Sequence, residues 1–189
     1  MTILEHEAEY VDQYLSERGV AEERCFIGVH AGSGFKGLHK RWPKERFAQL
    51  IMQVTDRVPT KVLLMGEKQE AALNEEILAL SGNSALNTAG DLEIRHTAAL
   101  IKKCRLFVSN DSGLAHIAAA VQTPLVVLFG ETNIHRIAPR GSSVVLVRKE
   151  PTDAHPDNIL LRITVEDVWQ AVMNAMGVTP PRNRYQSEV

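Results

Sequence analysis

The stretch from residue 106 to 130, LFVSNDSGLAHIAAAVQTPLVVLFG, contains two short apolar runs on either side of an alanine-rich segment. The runs Leu106–Ser109 and Leu125–Phe129 have the length and composition of buried strands. Between them, Gly113–Val121 is predicted to be a helix whose small side chains let it pack close to a sheet. This order of strand, helix and strand is typical of a parallel pair joined by a crossover helix.

The same alternation extends along the rest of the chain. Further strands are predicted at Phe26–His30, Lys61–Met65, Ser84–Thr88 and Val144–Val147. Further helices are predicted at residues 6–18, Pro43–Arg57, Glu67–Leu80, Ile94–Lys102 and Val165–Met176. The pattern predicts an α/β fold with a Rossmann-like parallel sheet and helices on both faces. We expect this domain to occupy residues 25–178, after a leading helix within residues 1–24 and before a flexible tail at 179–189.

The composition disfavours several classes of protein. With 21 Lys and Arg against 23 Asp and Glu, the net charge is −2, so no basic field is available for a nucleic acid. No segment approaches the ~20 apolar residues of a membrane span, and we expect no signal peptide. Cys25 and Cys104 stand beside apolar runs and are expected to be free thiols. These features predict a cytoplasmic protein.

Five loops follow the predicted strands, and each combines glycine with polar or charged residues. Their sequences are HAGSGFKGLHKR, GEKQ, AGDLE, SNDSGLAH and GETNIHR. Ligands of open parallel sheets bind in the crevice at the carboxyl ends of the strands. These loops are therefore the expected binding site.

The first loop has the glycine spacing of a dinucleotide fingerprint. Gly32, Gly34 and Gly37 match it, but the following helix is predicted to begin only near Pro43, whereas the fingerprint needs the third glycine to open that helix. A P-loop is also excluded, because Leu38 stands where that motif requires lysine. An NAD-dependent oxidoreductase is disfavoured on these grounds.

Three cations follow in this loop, namely Lys36, Lys40 and Arg41. Ammonium groups and the backbone N–H groups of a glycine loop together suit a pyrophosphate. A solvated basic loop would explain the same residues.

The fourth loop, SNDSGLAH, offers a second set of candidates. Asp111 or Ser112 can cap the following helix, which would explain both residues without a ligand. His116 lies one turn into that helix and is either a structural residue or a ligand for hydroxyls or phosphate near the helix N-terminus. Glu67, after the second strand, is either a ribose acceptor or an acidic residue favoured at a helix start. The seven histidines are dispersed and neither cysteine has a histidine at ligand spacing, so no metal site is predicted.

Three blocks of the sequence together resemble glycosyltransferase family 9, the bacterial lipopolysaccharide heptosyltransferases. The blocks are HAGSG with KRWPKERFAQLI, then VLLMGEKQE, then VSNDSGLAHIAAAVQTPLVVLFGETN, and the resemblance covers residues 26–141. It implies a GT-B architecture of two Rossmann-like domains, in which the C-terminal domain binds an ADP-heptose donor. The chain resembles that C-terminal half, with residues 1–24 as the helix that links the two domains.

The resemblance also implies roles for individual residues. Lys40 matches a lysine that contacts the donor diphosphate, while Ser33 and Gly34 lie where backbone and hydroxyl groups approach it. Asp111 matches an aspartate that faces the donor sugar. The segment around the phosphates and sugar is matched by Ser112, Gly113 and His116.

For the nucleoside, the resemblance implies two further contacts. Leu92 occupies the place of a side chain that lines the adenine. Glu67 lies near the glutamate expected at the ribose, although Lys68 or Glu70 aligns equally well with it.

In the family that the chain resembles, the acceptor site and the proposed catalytic base belong to an N-terminal domain that this sequence does not contain. The catalytic residues here are therefore unknown. The implied partners are an ADP-sugar donor, a lipopolysaccharide core acceptor and that N-terminal domain, which would place the complete enzyme in the cytoplasm or peripheral to the inner membrane. No metal or other cofactor is implied, because Lys40 and helix N-termini can offset the diphosphate charge.

The leading hypothesis is the donor-binding domain of a heptosyltransferase-like glycosyltransferase in lipopolysaccharide core biosynthesis, inactive as a chain by itself. The alternative is a non-catalytic module that binds a nucleotide or nucleotide sugar.

Overall fold

A computed structural model describes residues 1–23, 25–130, 134–141, 143–150 and 159–178. Within these residues, six strands form one parallel sheet in the order β3-β2-β1-β4-β5-β6. The strands are β1 (Phe26–His30), β2 (Lys61–Leu64), β3 (Ala85–Asn87), β4 (Leu106–Asn110), β5 (Leu125–Leu128) and β6 (Val144–Val147). The predicted Rossmann-like α/β fold is confirmed. The predicted tail at 179–189 and residues 131–133 of the last loop lie outside the described residues.

Helices connect the strands on both faces of the sheet. They are α1 (Glu5–Glu17), α2 (Lys44–Arg57), α3 (Ala71–Leu80), α4 (Ile94–Lys103), α5 (Gly113–Ala120), α6 (Ile134–Ile137) and α7 (Val165–Ala175). Short 3₁₀ helices occupy Phe35–Lys40, Lys68–Glu70 and Ile159–Arg162. No described helix combines the length and the apolarity that a bilayer span requires.

Alternating side chains of the central strands form two separate cores. On β1, Ile27 and Val29 pack into the core that contains α2, α3 and α7, whereas Phe26 packs into the core that contains α1, α4 and α5. Gly28 faces the second core, where a Cβ atom would stand 2.5 Å from Cδ2 of Phe107. The absence of a side chain at Gly28 therefore makes room for the Phe107 ring.

The leading helix α1 packs against α4. Its Val11 and Leu15 are buried in the second core, and Glu7 forms an ion pair with Arg95, with 2.6 Å between Oε1 and Nε. The helix is thus an integral part of one face of the domain. Its role as an interdomain linker stays a prediction.

The order in which the chain adds strands to the sheet reverses next to β1. It proceeds outward from β1 to β2 and β3, and α4 then returns it to β4 on the other side of β1. The loops after β1 and β4 consequently lead away from each other and leave a crevice between them. Such a switch point is where open α/β sheets bind ligands.

Candidate functional site

Two loops meet at the end of β1, where a single buried carboxylate joins them. Glu70 Oε1 accepts hydrogen bonds from the backbone N–H of Ser33 at 3.0 Å and of Gly34 at 3.1 Å. Oε2 accepts one from the backbone N–H of Glu67 at 3.0 Å. We call these three N–H groups the amide cradle. Because Ser33 and Gly34 follow β1 while Glu67 follows β2, Glu70 ties the first two binding loops together.

The close approach of this carboxylate explains the glycine at position 32. A Cβ atom on Gly32 would stand 1.9 Å from Glu70 Oε1, which is far inside van der Waals contact. Gly34 has a φ of 71°, in the left-handed region that favours glycine, and its N–H belongs to the amide cradle. The first two glycines of the fingerprint-like spacing thus accommodate a side chain of the protein itself.

His30, the last residue of β1, extends this network to the β4 side of the switch point. Its Nε2 lies 2.9 Å from Glu70 Oε2 and its Nδ1 lies 2.9 Å from Ser112 Oγ. Ser112 Oγ lies 2.9 Å from Ser109 Oγ, and all four side chains are buried. Since an ionised carboxylate only accepts hydrogen bonds, Nε2 carries the proton, and in a neutral His30 the hydroxyl of Ser112 donates to Nδ1.

Glu70 is held in its ionised form. Burial opposes the charge, but the hydrogen bond and charge of His30 and the backbone N–H donors outweigh it and lower the pKa of Glu70 to about 2. Arg41 contributes a further cation, with its Nη2 3.6 Å from Glu70 Oε1. Glu70 is therefore ionised at neutral pH.

Asn110, at the end of β4, fixes the first loop in place. Its Nδ2 donates to the carbonyl oxygens of Ala31 at 2.8 Å and Gly32 at 3.1 Å. Its Oδ1 accepts from the backbone N–H of Trp42 at 3.1 Å. The buried Trp42 indole donates in turn to the Ile163 carbonyl at 2.8 Å. The loop is anchored where it begins and where it ends.

On the β4 side, an ion pair joins the first and fourth loops. Lys40 Nζ lies 2.7 Å from Asp111 Oδ2. The side chain of Asp111 is 5% exposed, whereas that of Lys40 is 28% exposed. The ammonium group thus keeps access to a ligand in the crevice while it neutralises a buried carboxylate.

The N-terminus of α5 is left without a side-chain cap. Ser112 stands at the N-cap position, but its hydroxyl bonds to His30 and Ser109 instead of a helix N–H group. Asp111 pairs with Lys40, so the simple capping explanation for Asp111 and Ser112 is wrong. The first N–H groups of α5, with the positive end of its dipole, are available to an anion.

A cavity of about 530 Å³ opens at this edge of the sheet. Its polar lining includes His30, Ser33, Glu67, Lys68 and Glu70 from the first two loops. Its apolar lining comes from the loop before α4 and from α4 and α5, and consists mainly of Leu92, Ile94, Leu114 and Ile117. A concave site with an apolar part and a few polar groups suits a small molecule with a flat ring and a charged tail.

The structure brings most of the predicted site residues together. Five of them line the cavity, namely Ser33, Gly34, Glu67, Leu92 and Gly113. Lys40 and Asp111 form their ion pair at the adjoining β4 loop, and Ser112 contacts the cavity-lining His30. His116 is exposed on α5 and is not among the residues that line the cavity.

The structure also distinguishes the three residues that align equally well at the ribose position. Glu67 and Lys68 are exposed at the cavity, whereas Glu70 is 1% exposed and fully engaged by the amide cradle and His30. The Glu67 carboxylate accepts an exposed hydrogen bond from Gln69 and stays accessible at the cavity. The predicted helix Glu67–Leu80 is divided, because the 3₁₀ turn Lys68–Glu70 directs Glu70 inward before α3 begins at Ala71.

Sequence reasoning did not identify His30 or Asn110 as site residues. Both are polar residues at the C-terminal ends of fully buried strands, and that position was the available signal. Within the described part of the chain, no group of three or more His, Cys, Asp or Glu side chains is arranged to hold a metal ion.

Comparison with known proteins shows what the chain is similar to. The profile of glycosyltransferase family 9 (heptosyltransferase) matches residues 2–159. The lipopolysaccharide heptosyltransferase 2 of Salmonella typhimurium is 34% identical over 136 residues, which make up 70% of this chain and 39% of that protein.

Solved structures share the fold. The structure of E. coli ADP-heptose LPS heptosyltransferase II matches with a TM-score of 0.80 and 28% identity, over 93% of this chain and 53% of that one. A glycosyltransferase of family 9 from Veillonella parvula matches with a TM-score of 0.82 and 22% identity, over the same shares of the two chains. The chain thus spans about two fifths to one half of the length of these relatives.

Proposed function

Because the chain belongs to glycosyltransferase family 9, we propose that it is the donor-binding part of a heptosyltransferase-like enzyme of lipopolysaccharide core biosynthesis. Its ligand is then an ADP-heptose-like nucleotide sugar. The observation that carries this proposal is the cavity at the switch point. Leu92 and Ile94 give it an apolar wall, Gly113 at the uncapped N-terminus of α5 lines it, and Lys40 pairs with Asp111 at the adjoining β4 loop.

In this proposal the nucleoside occupies the apolar part of the cavity. Leu92 and Ile94 offer apolar surface to the adenine ring, as a flat base requires. Glu67, exposed at the cavity, accepts hydrogen bonds from the ribose hydroxyls.

The diphosphate then lies against α5 and Lys40. The first N–H groups of α5, beginning at Gly113, donate to its oxygens together with the ammonium group of Lys40. As Lys40 turns toward the phosphates, Asp111 becomes free to accept hydrogen bonds from the sugar hydroxyls. Ser33 and Gly34 form the wall beside the phosphates, and His116 lies at the outer end of the site.

These groups also suit the chemical step. When an acceptor hydroxyl attacks the anomeric carbon, the bond to the departing ADP breaks and negative charge grows on the diphosphate. Lys40 and the α5 N-terminus are positioned to stabilise that charge without a metal. The base that takes the hydroxyl proton, and the lipopolysaccharide acceptor site, we assign to an N-terminal domain joined through residues 1–24, so this chain alone should bind the donor and transfer no sugar.

Titration calorimetry with ADP, UDP and NAD tests the proposal. We expect ADP to bind most tightly, and Lys40→Met to weaken ADP binding at least tenfold, since a charged hydrogen bond contributes about 1.5–3 kcal/mol. The matched control is Lys103→Met, because Lys103 also pairs with an aspartate, Asp12, at 2.7 Å but lies at the C-terminal end of α4, whereas the N-terminal end of that helix lines the cavity. Tighter binding of NAD, or equal ADP affinity in both lysine variants, would contradict the proposal.

A further inference from the structure

Helix α1 contacts the segment that carries the apolar wall of the cavity. Leu92 and Ile94 belong to that wall. Asp91, which directly precedes Leu92, accepts a hydrogen bond from the Tyr14 hydroxyl at 2.7 Å, and the guanidinium of Arg18 also donates to it. Both donors belong to α1 or its C-terminal end. The helix therefore holds the chain immediately before the wall.

A second contact with α1 lies just beyond the wall. Arg95 follows Ile94 and donates to the Glu7 carboxylate from Nε at 2.6 Å and from Nη2 at 2.8 Å. Glu7 and Tyr14 are seven residues apart, so they lie two turns apart on one face of α1. The same face carries Val11, which is fully buried in the second core. The wall is thus held at both of its ends by one buried helix face.

The opposite side of this segment lies against the loop after β2. Gly90 has a φ of 79°, and its N–H donates to the Gly66 carbonyl at 3.0 Å. A Cβ atom on Gly90 would stand 2.6 Å from the Cα atom of Lys68, which explains the glycine. The loop between β3 and α4 is therefore confined between α1 and two residues that line the cavity, Gly66 and Lys68.

We propose that Asp91 is a positioning residue, through which Tyr14 and Arg18 of α1 set the place of Leu92 and of the apolar wall that receives the base of a nucleotide. The role of the wall toward a base rests on the proposed function, whereas the positioning of Leu92 by α1 does not. A ligand that carries a base should therefore depend on these contacts, and one that consists of phosphate alone should not.

The surroundings of Tyr14 make its hydroxyl a lasting donor. The residue is 9% exposed and packs in the second core, against which Leu92 also packs. Burial and the neighbouring Asp91 carboxylate raise the pKa of Tyr14, so the hydroxyl keeps its proton and donates at neutral pH. Hydrogen bonds to charged groups are stronger than those between neutral groups. Loss of this one should loosen the loop measurably.

Hydrogen exchange of the unliganded protein tests the positioning by itself. Tyr14→Phe removes only the hydroxyl, and Asp91→Ala removes both bonds at an exposed position without a change in the core. In either variant, the Gly90 amide, which is bonded to the Gly66 carbonyl, should exchange about tenfold faster than in the wild type.

Two further variants separate positioning from a general attachment of α1. Lys103→Met removes another ion pair between α4 and α1, with Asp12, at the end of α4 that is remote from the wall. It should leave the exchange of Gly90 unchanged. Asp91→Asn keeps an oxygen that accepts from Tyr14 and should recover most of the protection that Asp91→Ala loses.

Calorimetry with ADP and inorganic pyrophosphate then tests the consequence for binding. Tyr14→Phe and Asp91→Ala should weaken ADP binding several-fold and leave pyrophosphate binding as in the wild type, whereas Lys103→Met should change neither. If the wild type binds no ADP, the proposed function fails, and the exchange of Gly90 alone decides whether α1 positions the wall.

Several results would overturn the proposal. These are an unchanged exchange of Gly90 in Tyr14→Phe and Asp91→Ala, an equal increase in Lys103→Met, or an Asp91→Asn variant that exchanges as fast as Asp91→Ala. The same holds if exchange accelerates while ADP affinity stays constant, or if ADP and pyrophosphate lose affinity equally.

Discussion

The two sides of the switch point use their polar groups in opposite ways. At the amide cradle, Glu70 and His30 are buried and their hydrogen-bonding groups are engaged by the protein itself. At the α5 side, which consists of Lys40, Asp111, Gly113 and His116, the helix lacks a side-chain cap, and Lys40 and His116 reach solvent.

Because of this difference, we expect the amide cradle to contribute mainly to the stability of the fold and the α5 side mainly to ligand binding. A buried network whose members are all paired fixes the shape of the loops, and the removal of one member leaves the others without partners. Groups that are exposed or uncapped contribute less to folding and are free to interact with a ligand. We therefore expect substitutions at the amide cradle to act mainly on unfolding and those on the α5 side mainly on affinity.

The largest effect is expected for Gly32→Ala. Its Cβ would overlap Glu70 Oε1 and force the carboxylate out of the amide cradle, leaving a buried charge network broken. Such losses cost about 3–5 kcal/mol of unfolding free energy, measurable by urea denaturation. Gly34→Ala is the matched comparison, since a Cβ there meets no atom within 4 Å. Only the backbone conformation opposes it (φ 71°, ψ 171°, a region occupied almost only by glycine), at about 1–3 kcal/mol. Equal costs for the two variants would contradict the importance of the carboxylate.

The next largest effect is expected in the pH dependence of the unfolding free energy. The pKa of Glu70 is about 2 in the folded chain, below its ordinary value of 4.5, so its ionisation stabilises the fold above pH 4.5 and this contribution disappears as the pH falls toward 2. The stabilisation amounts to roughly 3 kcal/mol. Urea unfolding at a series of pH values should show this loss in the wild type and not in Glu70→Gln. A parallel pH profile for the two proteins would argue against a buried, ionised Glu70.

A smaller and more selective effect is expected for Asp111→Asn. The amide keeps the shape of the side chain but no longer attracts Lys40, so ADP should bind at least as tightly as in the wild type. An ADP-sugar should lose several-fold in affinity, because an amide NH₂ replaces one carboxylate acceptor of the sugar hydroxyls. Calorimetry with both ligands measures the difference, and an equal loss for ADP and ADP-sugar would rule out a sugar contact.

The smallest effect on folding is expected at His116. Because its side chain is exposed on α5, His116→Ala should change the unfolding free energy by less than about 0.5 kcal/mol. The same variant should weaken nucleotide-sugar binding several-fold if His116 reaches the ligand. A marked loss of stability would assign His116 to the structural group instead.

The strands and helices were predictable because their signals are local. The runs at β1, β4 and β5 are short and apolar, and their observed bounds agree with the predicted ones within one residue. Helix α4 likewise ends one residue beyond its predicted end. The short helix α6 and the 3₁₀ segments Phe35–Lys40, Lys68–Glu70 and Ile159–Arg162 were not predicted. The course of the first two 3₁₀ segments depends on Glu70 and on contacts distant in sequence.

The site was predictable only in part. Motif resemblance pointed to Leu92 and Glu67, which line the cavity as expected. Burial of Glu70 could not be foreseen, because two of its three N–H donors come from a loop about 36 residues earlier in the chain. A glutamate in a polar stretch such as GEKQE has no local feature that marks it as buried.

The most direct test of the whole account is an NMR titration of the wild-type chain with ADP. We predict that the amide signals of Leu92 and Ile94 shift with those of Gly113 and Leu114, as the base enters the apolar wall and the diphosphate meets α5. The amide signals of Asp12 and Lys103, an ion pair away from the cavity, should not shift. Shifts at Asp12 and Lys103 with none at Gly113 and Leu114 would place the nucleotide elsewhere and contradict the account.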